Sequence, residues 1–143
     1  MKLCVVDASV AAKWLLPIAQ EGLIEQANRL LASHVSRDLQ LVAPDLILCE
    51  LGNVLWKSIG RARIKAQDSE RALQRFMDLE IQIFPAADLI ISAIEIANAY
   101  DRTFYDSLYV ALAVTAKTEL LTADERLVNA VGSRLPVRWL GTY

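Results

Sequence analysis

Leu3-Cys4-Val5-Val6 is a continuous apolar run that stops at Asp7. A run without alternation cannot keep one face in water, so it reads as a strand buried on both faces, the kind found in parallel sheets covered by helices on both sides. Leu41-Val42-Ala43, Ile81 to Phe84 and Glu119-Leu120-Leu121-Thr122 read as further short strands, and Val137-Arg138-Trp139-Leu140 as an edge strand after Pro136. Helical stretches lie between them. Ser9 is placed to cap a helix from Val10 to about Leu16, which Pro17 stops. From Glu21 to about Leu39, the residues Leu23, Ile24, Ala27, Leu30, Leu31 and Val35 recur at helical spacing. Pro44-Asp45 opens a helix to about Ile59, and further helices are expected over 67–79, from a cap at Asp88 to Ala99, over 105–116 and over 124–131. Strands alternating with single helices or helix pairs predict a three-layer α/β/α sandwich on a mostly parallel five-stranded sheet with right-handed crossovers.

At 143 residues and 55% hydrophobic content, the chain is expected to form one domain over 1–143 that needs no disulfide or structural metal. Cys4 and Cys49 are flanked by aliphatic residues and lack a Cys-x-x-Cys spacing, which predicts two buried, reduced thiols. The apolar run before Asp7 is too short for a secretory segment or a membrane span, so a cytoplasmic protein without membrane contact is expected. Fifteen basic against 17 acidic side chains give a net charge of -2, without the global positive field of a strong nucleic-acid binder. A nucleic-acid substrate stays open, because setting four acids aside in one site leaves the remaining surface basic on balance.

Ligands of open parallel sheets bind beyond the carboxyl ends of the strands, and the acids there are informative. Asp7 ends the first strand, and Asp124 follows Thr122 by two residues. Asp106 stands in the first turn of an apolar helix, and Glu50 interrupts Leu46-Ile47-Leu48-Cys49 within another, with Asn53 on the same helical face. Each alone has an ordinary explanation: Glu50 as a snorkelling surface residue, Asp106 and Asp124 as partners of helix N-termini. Carboxylates clustered without His or Cys form the ligand set of Mg²⁺ or Mn²⁺ rather than zinc, and two such ions suit phosphodiester hydrolysis. His34, the chain's one histidine, cannot build a zinc site and is expected to face solvent.

Val5-Val6-Asp7-Ala8-Ser9, Glu50-Leu51-Gly52-Asn53-Val54-Leu55, Tyr105-Asp106-Ser107-Leu108-Tyr109-Val110-Ala111-Leu112-Ala113 and Leu121-Thr122-Ala123-Asp124-Glu125-Arg126-Leu127 occur in the order typical of PIN domains. The chain resembles a VapC-type toxin of a toxin–antitoxin pair. The resemblance implies a Mg²⁺- or Mn²⁺-dependent endoribonuclease with Asp7, Glu50, Asp106 and Asp124 as catalytic, metal-binding acids and Ser9, Asn53 and Thr122 in support. It also implies a tRNA, rRNA or mRNA substrate, a homodimer and inhibition by a cognate VapB-like antitoxin. In this scheme Asp7, Asp106 and Glu50 hold the principal cation, and Asp124 helps to bind a second or positions the attacking water. Lys13, Lys57, Arg61, Arg63, Lys65 and Arg102 are the candidates for neutralising RNA phosphates. A competing reading is a non-catalytic α/β protein-binding module whose acids only cap helices. It predicts no metal dependence and tolerance of Asp7→Asn.

Overall fold

The computed structural model describes residues 1–16 and 22–143. Five strands, β1 (Lys2–Val6), β2 (Leu39–Pro44), β3 (Gln82–Phe84), β4 (Leu120–Thr122) and β5 (Val137–Trp139), form one sheet in the order β3-β2-β1-β4-β5. All four pairings are parallel, with Cys4 opposite Leu41 and Val6 opposite Leu121. The sandwich expected from the apolar runs is therefore the architecture observed. β1 lies at the centre, where Val5 and Val6 are fully buried and each contributes about 1.5–3 kcal/mol by leaving water.

Parallel neighbours need crossovers, and helices supply them. After β1 come α1 (Ala8–Leu15) and α2 (Ile24–Val35); the expected start at Glu21 lies outside the described residues. Trp14 on α1 donates its indole N–H to the carbonyl of Ala27 on α2 at 2.9 Å and ties the pair together. After β2, α3 (Leu46–Gly60) and α4 (Ala66–Asp78) pack on each other and on α1. α5 (Ile90–Tyr100) lies along α6 (Phe104–Thr115) after β3, and α7 (Glu125–Val131) links β4 to β5. The chain leaves β1 towards β2 but leaves β4 towards β5, so the carboxyl ends of adjacent β1 and β4 flank the crevice where ligands of such sheets bind.

Several local expectations are corrected. Asp7, not Ser9, caps α1, because its carboxylate accepts from the backbone N–H groups of both Ser9 and Val10. α2 ends at Val35 rather than near Leu39, and Arg37 turns the chain through a left-handed conformation at φ 65° into β2. Asp88 lies inside a short 3₁₀ turn, Ala86–Leu89, that precedes α5 and is capped by Pro85. Leu140 belongs to a closing 3₁₀ turn, not to β5. His34 is buried, 8% exposed: one ring nitrogen meets the carbonyl of Leu79 at 2.6 Å and the other accepts from Leu41 N–H at 3.2 Å. It thereby joins α2, β2 and the end of α4. Cys49 is exposed, because the buried stripe of α3 runs through Ile47, Leu51, Leu55 and Ser58 and passes it by. Cys4 is buried as expected, and burial pushes its thiol up to about 12.

Candidate active site

Asp7 is fixed by the start of α1 and by β4. Its Oδ1 accepts from the amides of Ser9 and Val10 and from Ser9 Oγ at 2.5 Å, while Oδ2 accepts from Thr122 Oγ1 at 2.5 Å. Thr122, fully buried at the end of β4, in turn accepts from Asp124 N–H at 3.1 Å, and Ser9 Oγ accepts from Ala123 N–H at 3.0 Å. Two hydroxyls thus stitch β1 to β4 across the crevice and place Asp7 and Asp124 on its two sides. Burial still outweighs these donors, and the nearby Glu50 carboxylate opposes ionisation further, so Asp7 is pushed from 3.8 to about 6.

Glu50 enters from α3 and Asp106 from the first turn of α6. Both are pushed up, first by burial and then by a neighbouring carboxylate: Asp106 for Glu50, Asp124 for Asp106. Arg102 acts against the rise at Asp106. These repulsions run from Asp7 to Glu50, Glu50 to Asp106 and Asp106 to Asp124, so the four acids, supplied by four separate segments, are neighbours pair by pair. Tyr109, absent from the residues singled out above, belongs here too. Its hydroxyl donates to Glu50 Oε1 at 2.5 Å, and burial, this bond and the charges of Glu50, Asp7 and Asp106 all hold its proton firmly in place. Its one sequence signal is its position three residues after Asp106, on the same face of α6.

The capping explanation separates the four acids into two kinds. Asp7 caps α1, and Asp124 caps α7 by accepting from Arg126 N–H at 3.0 Å. Asp106 caps nothing, since Thr103 is the N-cap of α6 and accepts from Asp106 N–H at 3.1 Å. Glu50 sits in the second turn of α3, beyond the capping position. An all-carboxylate donor set suits a hard divalent cation. Among the described residues, however, no three His, Cys, Asp or Glu side chains are already gathered into a ligand set. Asp7 is held by Ser9 and Thr122, and Glu50 by Tyr109 through Oε1. The donor chemistry fits Mg²⁺ or Mn²⁺.

A groove of about 510 Å³ leads from Ser9 and Glu50 past Asn53 to Lys57, Arg61 and Arg63, and Lys13 lines it as well. Lys13 also donates to the carbonyl of Gly22 at 2.9 Å. Lys65 lies instead in a neighbouring cavity that shares Arg63, and Arg102 stands near Asp106. The basic candidates are therefore split over three places rather than joined in one track.

Residues 4–132 match the PIN domain family. The chain belongs to that family. This PIN domain is 35% identical over 134 residues to ribonuclease VapC9 of Mycobacterium tuberculosis, covering 93% of this chain and 94% of that one. It is 33% identical over 131 residues to ribonuclease VapC3 of Pyrobaculum aerophilum, covering 90% and 94%. Its fold superposes with a TM-score of 0.68 at 14% identity on the VapBC2 structure from Rickettsia felis, solved with a promoter DNA fragment, over 96% of this chain and 98% of that one. No helix of this PIN domain, among the described residues, is long and apolar enough to cross a membrane.

Proposed function

We propose that the chain is a divalent-cation-dependent endoribonuclease that acts as the toxin of a toxin–antitoxin pair. The observation that carries this reading is the position of Glu50 and Asp106: they cap no helix, yet they share a half-buried crevice with Asp7 and Asp124, where the acids repel one another. A cluster held against its own repulsion is the mark of a site whose chemistry uses it. The capping alternative accounts for Asp7 and Asp124, and the helix dipole for Asp106 in the first turn of α6, which leaves Glu50 without a role.

Asp7, Glu50 and Asp106 would hold Mg²⁺ or Mn²⁺, with Asp124 beside them. The cation supplies positive charge for the scissile phosphate and acidity for the attacking water. Ser9 and Thr122 orient Asp7, and Asn53 offers an amide at the mouth of the groove. Lys13, Lys57, Arg61 and Arg63 would meet phosphates along the groove, with Lys65 in the neighbouring cavity and Arg102 near Asp106. Such contacts position a strand without reading its bases or telling RNA from DNA; the ribonuclease names of the relatives are what support RNA, whether tRNA, rRNA or mRNA, as the substrate class. The names of the VapC relatives support a ribonuclease, and the VapBC structure supports a VapB-like antitoxin as partner. The reading further includes a single-domain chain, a cytoplasmic location and pairing with a second copy. Ile90, Ile91 and Ile94 form an exposed apolar face on α5 that such pairing would cover.

Purified protein is incubated with a set of tRNA and rRNA fragments in Mg²⁺ or Mn²⁺, beside EDTA and Asp106→Asn controls purified identically. Discrete products lost in both controls are expected. Equal cleavage by the variant, or cleavage undiminished by EDTA, refutes the assignment.

A further inference from the structure

Glu50 is a long side chain on a helix, and every rotatable bond left free in it dilutes the orientation in which its carboxylate can bind anything. The group that restrains it comes from the opposite wall of the crevice. Tyr109 is 3% exposed, so its ring is locked by packing, and its hydroxyl donates to Glu50 Oε1. Phenylalanine would fill the same space, so packing does not explain the hydroxyl. A buried phenol needs a polar partner, and Glu50 is the partner this one has. The bond also spans α3 and α6, the two helices that deliver Glu50 and Asp106 to the crevice.

We infer that Tyr109 is a positioning residue for the carboxylate site: it takes up one oxygen of Glu50, fixes the carboxylate plane and leaves the second oxygen available to a divalent cation. The inference rests on the reading that the four acids hold such a cation, and it goes further by giving a role to a side chain that would touch neither cation nor RNA. Partners that orient a metal-binding carboxylate in this way typically change metal affinity by about 10–100-fold when removed.

Mn²⁺ alone is titrated into the wild-type chain, Tyr109→Phe, Glu50→Gln and the double variant, with free Mn²⁺ followed by its paramagnetic resonance signal. The titrations run at a temperature where circular dichroism shows each protein folded, and cation-free melting temperatures are recorded beside them. Tyr109→Phe is expected to weaken Mn²⁺ binding about 10-fold or more while its cation-free melting temperature moves little. Because the residue acts through Glu50, adding Tyr109→Phe to Glu50→Gln should change Kd by less than about twofold. Wild-type affinity in Tyr109→Phe overturns the inference, and if it comes with a lowered cation-free melting temperature it assigns Tyr109 a purely structural role. An equal loss in the Glu50→Gln background overturns it as well. A wild-type chain that takes up no Mn²⁺ removes the cation reading itself and the inference with it, a result told apart from the others by the indifference of all four proteins.

Discussion

Without a cation, Asp7→Asn should make this protein more stable at neutral pH, even though it removes the acid at the centre of the proposed chemistry. Asp7 has its ionisation raised from 3.8 to about 6. The folded chain therefore holds a proton between roughly pH 4 and 6 that the unfolded chain has already released. Stability from this group is fully present below about pH 4 and is lost as pH rises through 6, with a total of about 3 kcal/mol missing at pH 7. Asparagine keeps the useful hydrogen bonds: its Oδ1 can accept from the amides of Ser9 and Val10, and its Nδ2 can donate to Thr122 Oγ1. What disappears is the buried charge and its repulsion with Glu50. Allowing for weaker hydrogen bonds to a neutral acceptor, the gain is about 1–3 kcal/mol, or roughly 3–10 °C in melting temperature for a domain of this size. Differential scanning calorimetry in EDTA from pH 4 to 8 reads it directly. The gap should open as pH rises and close near pH 4. A variant no more stable than wild type at pH 7.5, or a gap that widens on acidification, refutes the reasoning. Added Mn²⁺ should reverse the ranking, raising the wild-type transition by linkage and leaving that of Asp7→Asn nearly unmoved.

Three other outcomes follow from the same structure. His34→Leu keeps the volume but leaves Leu41 N–H and the Leu79 carbonyl without their ring partner, and should cost about 2–4 kcal/mol in urea unfolding; a loss below about 1 kcal/mol would show that water replaces the imidazole. Lys117 closes α6 in the left-handed region at φ 53°, so Lys117→Gly should stabilise the chain by about 0.5–1 kcal/mol, measured the same way, and a destabilisation would count against strain at that turn. In a catalytically silent Asp106→Asn background, Arg61→Ala with Arg63→Ala should weaken RNA binding across sequences and shallow the salt dependence of log K by about 0.7 for each phosphate that is no longer neutralised. An unchanged slope in filter binding would place the RNA away from this groove.

The sheet was legible because fully buried parallel strands leave an unmistakable trace: Val5-Val6 and Leu120-Leu121 have no polar face to show. Strand ends then located Asp7 and Asp124, and the crevice followed from the strand order. Helix ends were harder, since α2, α6 and the turn after α3 stop at Arg37, Lys117 and Ala62, all left-handed and none of them glycine, the residue that ordinarily signals such a stop. His34 shows no sequence sign of burial, because its two partners are backbone groups of β2 and of the turn after α4 that only the folded chain brings near. Cys49 misled for the opposite reason: apolar neighbours in sequence did not put it on the narrow buried stripe of α3. Tyr109 escaped because a hydroxyl on an apolar helix resembles core packing until Glu50 is found 59 residues away at its tip.

On the proposed function, Asp7, Glu50, Asp106 and Asp124 form a divalent-cation site at the β1–β4 crevice. Anomalous diffraction from Mn²⁺-soaked crystals tests it most directly. A peak is expected within bonding distance of Asp7 and Asp106, with Glu50 or Asp124 completing the protein ligands, and it should be lost in Asp106→Asn crystals soaked alongside. A crevice without a peak at saturating Mn²⁺, or a peak that persists in the variant, would contradict it.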